Sequence, residues 1–147
     1  MNQKNKLIIP KIIGHRGVKN LSPENTIHSI KKAIELGLNW VEVDVKITKD
    51  NIPILLHDDD LDRTTSGSGL VSSCNYSEIK KLDAGNFFYN YPTDIYVPTL
   101  EEVLNLCIKK NCGINIELKP NKNFEEKNVI EVLEVTKKYQ YTLPIYY

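Results

Sequence analysis

Strand-like and helix-like segments alternate along this chain, and that alternation is what most limits the folds open to it. Residues 8–13 are apolar like a strand, although Pro10 makes the start irregular. Residues 40–47 alternate valine and isoleucine with charged side chains, the period of two that strands show. A further strand is predicted at 114–118. Strands alternating with helices predict an α/β fold, with parallel strands and the helices packed outside them.

Three helices are predicted from capping signals that precede apolar residues at helical spacing. The first is expected to open at Ser22 as the N-cap, with Pro23 at the first helical position, and to end at Gly37. The second follows a capping box formed by Thr99 and Glu102.

The third helix is expected to be capped by Asn123 with Glu126 and to turn an apolar face inward. The residues expected on that face are Phe124, Ile130 and Leu133, with Val129 and Val132 as further candidates. Ile145 stands about where a fourth strand is expected to begin.

The segment 58–97 interrupts this alternation. It contains Ser-Gly-Ser-Gly at 66–69, a short helix predicted at 77–82, and four aromatic residues between 87 and 91. Ordered loops of this length are uncommon and tend to be functional. We interpret 58–97 as an insertion over the functional site, within one domain that spans 1–147.

Composition argues against a nucleic-acid-binding or membrane-spanning chain. Nineteen basic residues balance nineteen acidic ones, so any anion binding has to be local. No stretch approaches the roughly 20 apolar residues of a membrane span. Cys74, Cys107 and Cys112 are odd in number and lack zinc-ligand spacing, which favours free thiols and a cytoplasmic location.

Three acidic residues fall at the ends of predicted strands, where functional groups of parallel sheets collect. Glu42 and Asp44 lie two residues apart on one strand, so their side chains emerge on the same face. Glu117 holds the equivalent place on the next strand. Carboxylates held that close favour a cation between them, and oxygen ligands favour Mg²⁺ or Ca²⁺. The alternative is that all three form surface salt bridges.

Histidine and basic side chains stand beside these acids. His15 and His57 adjoin strand ends and are candidates for proton transfer, although a single histidine is more often structural. His28 lies within the first predicted helix and is expected on the surface. Arg16 offers a planar fork for two phosphate oxygens, and Lys119 offers a second positive charge.

An ion pair with Glu42 or Glu24 is the alternative role for Arg16. It is compatible with a functional site, because an orienting pair often supports one. Glu24 and Asn25 are candidates for groups that support the site from behind.

Nine short motifs stand in order along the chain: IGHRG at 13–17, SPENT at 22–26, VEVDV at 41–45, TKD at 48–50, LHD at 56–58, LDRTT at 61–65, LDAG at 82–85, VPTLEEVL at 97–104 and NIELK at 115–119. Together they resemble the glycerophosphodiester phosphodiesterase family. The resemblance runs from about residue 8 to residue 119, and more weakly through the third predicted helix.

The resemblance implies a TIM-type (β/α)₈ barrel that hydrolyses glycerophosphodiesters to glycerol 3-phosphate and an alcohol, using bound Mg²⁺ or Ca²⁺. The insertion would help to cover the site. The implied roles are metal ligands at Glu42, Asp44 and Glu117, an acid–base pair at His15 (base) and His57 (acid), and phosphate contacts at Arg16 and Lys119.

The chain departs from the family in length, because such a barrel takes about 250 residues and only about three strand–helix units are expected here. One hypothesis is an enzyme, as part of a longer product or by association with a complementary chain or with itself. Another is a truncated, inactive product that at most binds a divalent ion or a partner. A third is a related barrel phosphodiesterase acting on phospholipid head groups.

Overall fold

The computed structural model of the protein describes residues 9–147. Within them the helices are α1 (Ile27–Glu35), α2 (Tyr76–Ile79), α3 (Asn86–Tyr89), α4 (Leu100–Lys110) and α5 (Glu125–Thr136). The strands are β1 (Trp40–Ile47), β2 (Pro53–Leu55), β3 (Gly113–Leu118) and β4 (Ile145–Tyr146).

The strands form one sheet in the order β2-β1-β3-β4, which confirms the predicted α/β class. β1 pairs in parallel with β3, and β3 pairs in parallel with β4. β2 returns antiparallel along the end of β1, where Val45 lies opposite Leu55. The fourth strand thus begins at Ile145, as the sequence predicts.

β1 is the centre of the fold, because every one of its eight residues is buried. Its valines join a single apolar cluster with α1, α4 and α5 on the helix side of the sheet. Members of that cluster include Val41, Val43, Val45, Ile30, Leu104 and Val132. The alternate residues of the strand, which carry the charges, face the opposite side.

The insertion has a small core of its own. Ile54 and Leu56, from β2 and the residue following it, pack with apolar residues contributed by the segment 58–97. Those residues are Leu61, Val71, Ile79, Ala84, Ile95 and Val97. The short helix predicted at 77–82 is α2, displaced toward the N-terminus. The insertion is therefore anchored to the strand that leads to His57.

The strand predicted at 8–13 does not form in the part of the chain that the structure describes. Residue 8 lies outside the described residues, and residues 9–13 carry no strand. Gly14 makes one parallel bridge to Val41, with its N–H donating to the carbonyl of Trp40 and its carbonyl accepting from Glu42. Pro10 cannot donate to a strand ladder, which agrees with this irregular backbone.

The predicted start of the first helix at Ser22 and Pro23 is wrong. α1 begins at Ile27, and Thr26 is its N-cap, accepting a hydrogen bond from the backbone N–H of Ser29. Asn25 has a φ of 56°, a left-handed conformation that no helix can contain. The predicted end is confirmed, since Gly37 follows the helix with a φ of 86°.

The prediction for the third helix is partly wrong. Phe124, not Asn123, precedes α5 as its N-cap, and Asn123 is left-handed with a φ of 68°. Ile130 and Leu133 are 52% and 48% exposed, whereas Val132 is fully buried. α5 turns Asn128, Val132 and Thr136 toward the sheet. An apolar pattern that covers more than one side of a helix does not reveal which side will pack.

The other expected helix is confirmed, because Thr99 and Glu102 form a capping box at the start of α4. Across residues 9–147, none of the helices combines the length and apolarity needed to cross a membrane.

Asp83 should be a main stabiliser of the insertion. Its carboxylate accepts from the backbone N–H groups of Gly85, Asn86 and Thr93 and from the Thr93 hydroxyl. Burial opposes ionisation, but the hydrogen bonds from Thr93, Gly85 and Asn86 together outweigh it and lower the pKa of Asp83. We expect Asp83→Ala to reduce the free energy of unfolding by about 1–3 kcal/mol at pH 7 in urea titrations. Asp94→Ala, at an exposed position, is the control.

The lowered pKa of Asp83 fixes the sign of its pH dependence. The stabilising effect should be present above the ordinary value of 3.8 and be lost as the pH falls through the lower folded value. If the difference in the free energy of unfolding between wild type and Asp83→Ala stays constant from neutral pH to strong acid, this account is contradicted.

Candidate active site

The structure brings together the three carboxylates predicted as metal ligands. Asp44 of β1 lies directly beside Glu117 of β3 in the parallel register. Glu42 lies two residues earlier on β1 and therefore on the same face. One potential ligand oxygen from each carboxylate lies within 4.8 Å of the others. Sheet register alone produces this cluster.

The three carboxylates differ in burial. Asp44 is fully buried and Glu42 is 9% exposed, whereas Glu117 is exposed to solvent. Burial raises the pKa of Glu42 to about 7, and the charges of Asp44 and Glu117 act in the same direction. The backbone N–H of Arg16, which donates to Glu42 Oε2 over 2.9 Å, opposes that rise.

These carboxylates fit a divalent cation with oxygen ligands. Glu42 Oε1 and Asp44 Oδ1 are both buried without a hydrogen-bond partner. Buried carboxylate oxygens rarely remain unpaired, because their desolvation is costly. A divalent ion held by Glu42, Asp44 and Glu117 would satisfy both orphaned oxygens and reduce the mutual repulsion. Hard oxygen donors of this kind suit Mg²⁺ or Ca²⁺.

Asn25 holds Asp44 from behind with two hydrogen bonds. Its side-chain amide donates to Asp44 Oδ2 over 2.9 Å, and its side-chain carbonyl accepts from the Asp44 backbone N–H over 3.1 Å. The left-handed backbone of Asn25 aims its side chain at β1. These contacts agree with the predicted place of Asn25 behind the site. The left-handed backbone of Asn25 also explains why α1 begins only after this residue.

Arg16 lies in a tight turn that is anchored to β1 and α1. The residue is left-handed with a φ of 53°, and its carbonyl accepts from the hydroxyl of Ser29 over 2.6 Å. Gly17 follows with a φ of 82°, and a Cβ there would lie 2.0 Å from Ser29 Oγ. A glycine is therefore required at this position by both conformation and space.

The Arg16 guanidinium already contacts two acids. Its Nη1 donates to Glu24 Oε1 over 2.8 Å. Its Nε lies 3.0 Å from Asp44 Oδ2, as an ion pair rather than an aligned hydrogen bond. The predicted alternative of a pair with Glu24 is therefore present, whereas Glu42 is contacted by the Arg16 backbone and not by its side chain.

His15 lies at the exposed side of the carboxylate cluster. Its Nε2 is 3.8 Å from Glu42 Oε2, and 52% of its side chain is exposed. Burial lowers the pKa of His15, helped by the positive charges of Lys19 and Arg16, although Asp44 and Glu117 act against it. The imidazole is therefore disposed to be neutral near pH 7, the form that can accept a proton.

His57 reaches the same edge by way of the antiparallel return of β2. The backbone N–H of Leu56 donates to the Asp44 carbonyl over 3.1 Å, so His57 follows immediately beside β1. Its Nδ1 lies 2.7 Å from Asp58 Oδ1. His28, in contrast, is exposed on α1, as expected.

Lys119 continues β3 beyond Glu117. Its backbone N–H donates to the Val45 carbonyl, and its Nζ lies 2.6 Å from Glu117 Oε1. The contact raises the pKa of Lys119 and lowers that of Glu117. All seven predicted site residues thus lie at one edge of the sheet: His15, Arg16, Glu42, Asp44, His57, Glu117 and Lys119.

The sequence prediction did not assign roles to Asp58 and Arg63. Arg63 donates to both oxygens of Asp58 and to both oxygens of Glu24. The only signal available in the sequence was their place inside the LHD and LDRTT motifs. Contacts between residues 24 and 63 cannot be read from local pattern, since the segment between them forms a helix and two strands.

Comparison with known proteins decides the family. The sequence profile of the glycerophosphoryl diester phosphodiesterase family matches residues 15–146. The chain belongs to this family. A glycerophosphodiester phosphodiesterase of Caldanaerobacter subterraneus subsp. tengcongensis is 45% identical over 108 residues, which cover 74% of this chain and 44% of that protein.

Solved structures of glycerophosphodiester phosphodiesterases and related enzymes share the fold. A phosphodiesterase from Oleispira antarctica, in complex with the product sn-glycerol-3-phosphate, superimposes with a TM-score of 0.89 at 38% identity. The match covers 93% of this chain and 56% of that one. A glycerophosphodiester phosphodiesterase from Thermotoga maritima has a TM-score of 0.70 at 32% identity, covering 90% of this chain and 51% of that one. This chain therefore spans about half the length of the relatives it matches.

The buried, crowded carboxylate of Glu42 should destabilise the chain when no divalent ion is bound. Because its pKa is raised to about 7, the stability associated with protonated Glu42 is complete below about pH 4.5 and is lost as the pH rises through 7. At pH 8 without metal, we expect Glu42→Gln to unfold at a higher urea concentration than wild type. Its free energy of unfolding should be greater by roughly 2–3 kcal/mol.

Metal should reverse that order. Mg²⁺ or Ca²⁺ should stabilise wild type and leave Glu42→Gln nearly unchanged, because the variant lacks one carboxylate ligand. Glu35→Gln, an exposed acid of α1, is the matched control and should respond to metal like wild type. Equal stabilisation of Glu42→Gln and wild type would rule out Glu42 as a ligand of the ion.

Proposed function

We propose that this chain carries the catalytic groups of a metal-dependent phosphodiesterase that hydrolyses glycerophosphodiesters to glycerol 3-phosphate and an alcohol. The main support is the cluster of Glu42, Asp44 and Glu117, with His15 and His57 near it, in a chain of this family. The Oleispira relative was solved with sn-glycerol-3-phosphate as its product, which supports the same product here.

We assign the three carboxylates as ligands of Mg²⁺ or Ca²⁺. When bound, such an ion supplies positive charge that neutralises the phosphate oxygens and polarises the phosphorus toward attack. The chain then holds the substrate phosphate between Arg16 and Lys119. Glu24 and Asp44 hold the Arg16 guanidinium in place before substrate binds. Binding of the phosphate therefore costs no further loss of side-chain freedom at Arg16.

The histidines divide the proton transfers. His15, whose lowered pKa favours the neutral form, takes a proton from the attacking water as the water oxygen bonds to phosphorus. His57, with protons on both ring nitrogens, gives the proton of Nε2 to the alcohol oxygen as the phosphorus–oxygen bond breaks. Asp58 occupies Nδ1 of His57, so Nε2 is the nitrogen that faces the substrate.

We also propose that these elements form part of a (β/α)₈ barrel. The parallel strands β1, β3 and β4, with α4 and α5 on the helix side, support that arrangement. The remaining strands would come from a longer product, from a complementary chain or from a second copy. Free thiols at Cys74, Cys107 and Cys112 agree with the cytoplasmic location that the sequence predicts.

A direct assay tests the proposed reaction. Purified 147-residue chain should release glycerol 3-phosphate from glycerophosphocholine with Mg²⁺ or Ca²⁺, and a chelator should abolish the release. His15→Gln and His57→Gln should each reduce kcat/KM by about 10²–10⁴-fold, since each loses one proton-transfer group. His28→Gln, at an exposed position on α1, should match wild type.

The other outcomes separate the alternatives. Metal-dependent stabilisation without turnover would identify an inactive, ion-binding chain and overturn the proposal for this chain alone. Head-group release from phospholipid vesicles, with no action on glycerophosphocholine, would favour the related barrel phosphodiesterase. The half-exposed aromatic residues of the insertion, such as Tyr91 stacked on Tyr89, give that alternative a surface on which lipid could lie.

A further inference from the structure

Consecutive ion pairs connect the predicted metal-ligand strand with His57. The pairs run from Asp44 to Arg16, from Arg16 to Glu24, from Glu24 to Arg63, and from Arg63 to Asp58. The final contact joins Asp58 to Nδ1 of His57. The structure therefore links a candidate metal ligand, a candidate phosphate contact and a candidate general acid through neighbouring charges.

Arg63 connects Glu24, in the turn before α1, with Asp58 at the start of the insertion. Its Nε and Nη2 donate to the two oxygens of Asp58 over 2.6 and 2.9 Å. Its Nη1 and Nη2 donate to the two oxygens of Glu24 over 3.0 and 2.8 Å. One planar guanidinium thus makes a bidentate contact with each of two carboxylates. A lysine side chain cannot reproduce this geometry.

Glu24 is shared between two arginines and is largely shielded from solvent. Its side chain is 10% exposed, and the Arg16 side chain that it contacts is 12% exposed. The hydrogen bonds from Arg63 and Arg16 hold the pKa of Glu24 below its usual value despite burial. Sharing one buried carboxylate fixes the separation of the two guanidinium groups.

Asp58 favours one position for the proton of neutral His57. A carboxylate 2.7 Å from Nδ1 favours the tautomer with a proton on Nδ1, because that proton can donate to Asp58. Hydrogen bonds from Arg63 and then from His57 lower the pKa of Asp58, so it remains an acceptor. The second nitrogen, Nε2, is left to exchange a proton with substrate.

We propose that Arg63 is a positioning residue of the active site, which acts by clamping Asp58 and Glu24 so that His57 keeps one tautomer and orientation relative to Arg16. The catalytic role of His57 in this inference rests on the proposed function. The tautomer of His57 does not depend on the proposed function. Arg63 itself, at 45% side-chain exposure, is not required to touch the substrate. The first turn of the insertion therefore contributes to the geometry of the site.

Nitrogen NMR of the imidazoles tests the clamp without any activity measurement. In spectra recorded where the imidazoles are neutral, wild-type His57 should be mainly protonated on Nδ1. Asp58→Ala should shift it toward the Nε2-protonated tautomer. Arg63→Gln should shift it partly, and Arg63→Lys should not restore the wild-type ratio. His15 and His28 serve as internal references in the same spectra.

A second pair of variants guards against misfolding. Asp58→Asn keeps an oxygen that can accept from Nδ1–H, and it should retain more of the wild-type tautomer than Asp58→Ala. Lys138→Gln removes a different surface ion pair, with Glu101, and should leave the His57 signals unchanged. An unchanged tautomer ratio in folded Asp58→Ala and folded Arg63→Gln would overturn the proposal, whether or not the chain hydrolyses glycerophosphodiesters.

Where the chain is active, Arg63→Gln should lower kcat by about 10–100-fold, the range typical of residues that orient a functional side chain. Arg63→Lys should recover little of that loss. Absence of activity in wild type would defeat the proposed function while leaving the NMR comparison decisive for the clamp. Wild-type kcat in a folded Arg63→Gln chain would count against a positioning role.

Discussion

The parallel pairing of β1 with β3 is the constraint on which the rest of the structure depends. It buries the apolar face of β1 against three helices, and it sets Glu117 directly beside Asp44. A shift of one residue would turn Glu117 to the opposite face and dissolve the carboxylate cluster. The same hydrogen bonds that stabilise the sheet therefore determine whether a cation can be held at its edge.

The antiparallel return of β2 adds the second requirement, because it delivers His57 to that edge. Its apolar residues begin the small core that anchors the insertion, so the segment following His57 is packed rather than free. This packing places Arg63 within reach of Glu24, which lies in the turn before α1. The packing of the insertion therefore helps to fix the positions of the site residues.

Charge balance gives the site its chemistry. Burial makes ionised Glu42 costly, and the unpaired oxygens of Glu42 and Asp44 define where positive charge is lacking. Arg16 and Lys119 each contact an acid of the cluster without satisfying those oxygens. A divalent cation held between the carboxylates would complement this arrangement.

What the sequence determined was local. Period-two alternation defined β1 to the residue, a capping box defined the start of α4, and two carboxylates two residues apart had to share a face. The tertiary structure decided the rest. Asn25 is left-handed and its side chain hydrogen-bonds Asp44. In α5 Val132 is buried and Ile130 is exposed, and Arg63 pairs with Glu24. Those outcomes depend on contacts between distant segments, and local propensity carries no information about which distant groups will meet.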